Sequence, residues 1–164
     1  MRYVADHDFH IHSTISPCCH DDNQTPEAIL RYAIENGFNK ICLTNHLWDE
    51  LVKSEAEWHE GQRFCCLASA LPLPQDEKVK FLFGAEVDMD YNNIIGVSED
   101  RYDIFDMMVI STTHLHLAGH TVRKKLEDPE EAAEIWVARL EAILKKDLPW
   151  RKVGIAHLTS GHIL

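Results

Sequence analysis

The apolar positions of this chain fall in short dense runs separated by polar, charge-rich stretches. Met107-Met108-Val109-Ile110 and Phe81-Leu82-Phe83 show no alternation, the pattern of strands covered on both faces, as in a parallel sheet. Five strands are predicted: an extended segment within residues 3–12, then 39–46 (NKICLTNH), 78–87, 106–113 and 152–156. Helical spacing recurs between them. Residues 26–36 place Ala28, Ile29, Tyr32, Ala33 and Ile34 on one face, with Thr25 as N-cap, Pro26 at the first position and Gly37 as the stop. Residues 129–146 form the longest predicted helix. Asp128 caps it, its first turn is acidic and Lys145-Lys146 end it, all favourable to the helix dipole. Residues 47–60 are expected to be partly helical, and any helix after them ends before Pro72 and Pro74. Residues 96–106 read as irregular. Strand and helix alternate, which predicts an α/β fold.

Composition narrows the function. At 164 residues and 45% hydrophobic, the chain suits a single globular domain. Its net charge of −11 argues against broad nucleic-acid binding, although bound cations can still make a phosphate site in an acidic protein. No apolar run reaches the roughly 20 residues of a membrane span, and a cytosolic location is expected. Cys18, Cys19, Cys42, Cys65 and Cys66 form no C-x-x-C and make a poor disulfide framework, so free, mostly buried thiols are expected. The anomaly is eleven histidines.

Several of these sit where the predicted strands end. The first closes in His10-Ile11-His12, the second in Thr44-Asn45-His46, the third in Gly84-Ala85-Glu86, the fourth in Thr112-Thr113-His114 and the fifth in Ala156-His157. In a β/α barrel those ends share one face, where active sites sit. Residues two apart on a strand point the same way, so the two imidazoles of His10 and His12 can reach one cation. Any one of these signals is weak; the ordered set is strong.

The stretches DFHIHS (8–13), TNHL (44–47), GAEVD (84–88), STTH (111–114) and GIAH (154–157) resemble the PHP (polymerase and histidinol phosphatase) domain family. The resemblance implies a distorted seven-stranded (β/α)7 TIM-like barrel, here truncated to about five β/α units, with two or three divalent metals (Zn, Mn or Fe) at its mouth. It implies that His10 and His12 bind one metal, Glu86 bridges to a second held by His114 and His157, and His46 binds a third. The partner of His46 from the turn after the first strand is read as His20, or else Asp21. The family usually has Thr-Asp-His where this chain has Thr-Asn-His. Its late Asp-x-His motif has no counterpart after His157, where His162 is the one ionisable group, and the chain is accordingly expected to lack C-terminal strands.

The activity so implied is a metal-dependent phosphoesterase, a phosphatase on a small phosphorylated metabolite, with metal-bound hydroxide as nucleophile. The general acid is not identified. Two alternatives are a metal-binding regulatory or scaffold module without turnover, and a nuclease or proofreading module. His116, His120 and Arg123 are further candidates for substrate contacts, each equally readable as a polar loop residue. Trp48 and Trp58 read either as a substrate wall or as loop packing. Open barrel edges predict self-association.

Overall fold

A computed structural model describes residues 5–158; Met1–Val4, part of the first predicted strand, and His162 lie outside them. The elements follow the predicted order: β1 (His7–Ile11), α1 (Pro26–Glu35), β2 (Lys40–Leu43), β3 (His46–Leu47), α2 (Phe64–Ala68), β4 (Lys80–Val87), β5 (Met107–Ser111), α3 (Pro129–Leu144) and β6 (Val153–Ala156). Both long helices start as predicted. The Thr25 hydroxyl accepts the Ala28 N–H and the Asp128 carboxylate accepts the Glu130 N–H, each just ahead of a proline at the helix start.

All the strand pairings are parallel, and the sheet runs β1-β2-β4-β5-β6 with β3 also on β4. Strands that neighbour one another in chain order wind one way only, and the sheet curls into a half-barrel. One consequence matters most: every strand delivers its C-terminal end to the same rim. Ile29, Leu30 and Ala33 of α1 and Ile143 of α3 pack with Ile41, Leu43, Phe81, Phe83, Met108 and Ile110 of the sheet in one apolar core. β4 and β5 approach closely at Gly84, where a Cβ would stand 2.4 Å from the Met107 carbonyl oxygen and 2.7 Å from Cys42 Sγ. β1 and β6 end the sheet path.

Three expectations are corrected. Residues 47–59 hold no helix; a 3₁₀ turn at Glu60–Gln62 and the short α2 follow them. Their polar groups are engaged elsewhere: Ser54 donates to Asp90 (2.9 Å), and Glu55 accepts from Tyr91 (3.1 Å). The second predicted strand is split into β2 and β3 at Thr44-Asn45. There, side chains replace ladder bonds: Thr44 Oγ1 accepts the Ile11 N–H (3.0 Å) and Asn45 Oδ1 accepts the Ser13 N–H (2.7 Å). The Asn45 amide also donates to Ser13 Oγ (3.0 Å), a bond a carboxylate could not make. Finally, the thiols are not mostly buried. Only Cys42 is, while Cys18 and Cys65 are exposed, because both Cys-Cys pairs fall outside the sheet.

Candidate metal centre

Glu86 is the penultimate residue of strand β4 and is 1% exposed. Its two oxygens face different partners. Oε2 lies 3.2 Å from His10 Nε2, 3.0 Å from His12 Nε2 and 3.3 Å from His46 Nδ1. Oε1 lies 3.1 Å from His157 Nε2 and 3.6 Å from His114 Nε2. The Nε2 atoms of His10 and His12 are 3.1 Å apart, two ring nitrogens turned to one point. His157 has φ 55°, a left-handed conformation in which histidine is enriched among non-glycine residues; it directly follows β6. The ligand atoms of His10, His12 and Glu86 converge as one group, and those of Glu86, His114 and His157 as another.

Electrostatics tie the cluster together. Burial would raise the Glu86 carboxyl, but hydrogen bonds from His10, His12 and His157 outweigh it and hold the group far below the usual carboxylate range. Burial depresses His12, against the pull of Glu86. It also opposes the charge on His46, yet Asp88 and Glu86 prevail and lift that ring to about 9.

Asp88 is fully buried and was missed in the sequence. The signal was present: Asp88 is two residues beyond Glu86, the same spacing that pairs His10 with His12. Its Oδ1 takes the Nδ1–H of His114 (2.7 Å) and its Oδ2 accepts from Gln62 (2.8 Å). That bond fixes the His114 tautomer and leaves Nε2 for the Glu86 side. His46, Asp88 and His114 form a further convergent group.

The turn after β1 differs from expectation. His20 is exposed and belongs to none of the convergent groups; Asp21 accepts from Asn23 (2.9 Å). Cys18 is brought in instead, its Sγ 3.2 Å from His12 Nδ1, in a group with His12 and His46. The physical reason is a tight double turn, Ser16 N–H to Ser13 O and Cys19 N–H to Ser16 O, which doubles the chain back two residues before His20.

The remaining candidates lie around the rim. His116 meets His114 edge-on, with ring centres 5.6 Å apart. His120 rests against Trp58 at 5.3 Å, and Trp58 stacks on Trp48 at 4.2 Å, so the tryptophans pack on each other. Arg123 covers Tyr91 and donates to Asn92 (2.7 Å). Beneath them is an unanticipated residue, Arg139 of α3, 4% exposed. Its guanidinium donates to four carbonyls: Met89 (2.7 Å), Asp90 (3.1 Å), Thr112 (3.2 Å) and Thr121 (2.7 Å). Burial draws its pKa down to about 10. An arginine in a charge-rich helix carries no sequence signal that it will turn inward.

Residues 8–148 match the PHP domain family. The chain belongs to the PHP family. Comparison with curated proteins gives no match. The PHP family binds metals, and this domain brings together groups of His, Asp and Glu that could hold them. Imidazole nitrogens and carboxylate oxygens suit Zn, Mn or Fe, and the buried His46 Nδ1 makes no hydrogen bond among the described residues. No helix of the PHP domain, among the described residues, is long and apolar enough to cross a membrane.

Proposed function

We propose that this chain is a metal-dependent phosphoesterase acting on a small phosphomonoester. The observation that carries the reading is Glu86, a buried carboxylate whose two oxygens face two separate histidine sets. His10 and His12 would hold one cation and His114 and His157 another, with Glu86 between them. His46 would serve a third position. Divalent cations bound there would polarise phosphoryl oxygens and acidify a water. The chain's own residues hold that geometry. Asp88 keeps the His114 tautomer, Asn45 clamps the turn after β1, and Arg139 anchors the loops behind Asp88 and before His114. The net charge of −11 favours a small substrate over a nucleic acid. Among the described residues β1 and β6 stand at the two ends of the sheet path, which supports self-association.

The test is a panel of small phosphomonoesters assayed with Zn, Mn or Fe. Hydrolysis should stop on chelation and return with a divalent metal. Stoichiometric metal without turnover on any substrate would favour the binding-module reading, and a chain that takes up no transition metal would overturn both.

A further inference from the structure

The convergent groups at the rim are not chemically alike. Among the described residues, three consist of imidazole and carboxylate alone and a fourth contains a sulfur. We propose that the corner of His12, Cys18 and His46 takes a thiophilic divalent cation of the zinc class, with the Cys18 thiolate as a ligand. This deepens the reading of the rim as a metal centre and rests on it.

The corner is built. Two successive turns return Cys18 to the strand it has just left. Ser16 ties the turn to both histidines, its Oγ lying 3.0 Å from His12 Nδ1 and 3.4 Å from the His46 backbone N–H. The other side is backed by the 3₁₀ turn, where a Cβ on Gly61 would meet Pro17 at 3.3 Å. A neutral imidazole has one lone pair. When Nε2 of His12 gives its lone pair to a cation on the Glu86 side, Nδ1 carries the proton and faces Cys18 Sγ at 3.2 Å. In that state Cys18 and His46 are the protein ligands of the corner, the outer positions facing solvent on the exposed side of Cys18.

Sulfur changes which metal is held. Thiolates select zinc, cadmium and cobalt over magnesium and manganese, which prefer oxygen. The rim is therefore unequal: a soft corner beside harder ones. Cys18 takes part in this corner and in no other group among the described residues, so a sulfur signature reports it alone.

The experiment uses Co²⁺ added to the metal-free chain, with near-ultraviolet absorption for the thiolate-to-metal charge-transfer band and elemental analysis for total metal. The band should form in the wild type and in Cys19→Ser, and vanish in Cys18→Ser while cobalt remains at the other corners. Cobalt bound by the wild type without the band, or a band that survives Cys18→Ser, overturns this inference and leaves the wider metal reading standing. No cobalt bound at all overturns both. A second measurement needs no variant: mass spectrometry of alkylated wild type. Saturating Zn²⁺ should slow Cys18 labelling at least about tenfold and leave the exposed Cys65 unchanged; equal Cys18 rates with Zn²⁺ bound overturn the inference.

Discussion

Glu86 and Arg139 are both buried charges near the same rim, 1% and 4% exposed, and they are satisfied in opposite ways. Arg139 is closed. Its N–H groups go to four backbone carbonyls, fixed dipoles that neither titrate nor leave. Glu86 is open. Five imidazole nitrogens stand 3.0–3.6 Å from it, and each ring can exchange a proton for a cation. The difference teaches how to separate structural from chemical burial: backbone partners make a pin, titratable partners make a site. The two are joined, because the carbonyls Arg139 holds belong to the segments around Asp88 and His114. Thr121 extends the link, giving its carbonyl to Arg139 and its hydroxyl to the His114 carbonyl.

The largest effect is expected on breaking the pin. Arg139→Leu strands four buried carbonyls and should cost about 3–5 kcal/mol of folding free energy, a large share of a typical domain's stability. Denaturant melts of the metal-free proteins measure it; a loss below about 1 kcal/mol would erase the distinction between pin and site. Next comes the site. Glu86→Gln keeps size and removes the charge, so metal affinity should fall by more than about 100-fold while the metal-free fold persists, and Asp88→Asn, one shell out, should cost about 10–100-fold. Metal titration with melting curves on the same samples separates the two; unfolding of metal-free Glu86→Gln would make Glu86 a pin as well.

The smallest effect sharpens the same contrast in the thiols. Burial, with Asp106 and Asp8 adding to it, pushes Cys42 up to about 12. A thiol that stays protonated in the fold contributes stability that is complete below the ordinary thiol range and is lost as pH rises toward 12. In native protein at pH 9, Cys42 should alkylate at least about tenfold more slowly than exposed Cys18. Comparable rates would show that the strand face carrying Cys42 opens freely.

Much of the fold was legible because its determinants are local. Apolar runs without alternation marked parallel strands, and Thr25-Pro26 and Asp128-Pro129 marked helix starts. The five ligand-type strand ends were legible for the same reason: a parallel β/α order sends every strand end to one rim, so position along the chain predicts position in space. Residues 47–59 were not, since their polar groups bond to the distant Asp90 and Tyr91 instead of to one another.

By itself, then, the sequence determined the order of elements and the convergence of His10, His12, Glu86, His114 and His157 on one rim of the sheet. Periodicity and capping act over a few residues, and the strands' single direction converts them into a shared site. Tertiary structure alone decided that Cys18 rather than His20 turns back to His12, that Asp88 holds His114, and that Arg139 pins the loops behind them. Each depends on a loop's path or on partners 26 to 50 residues away, and no local pattern carries that information.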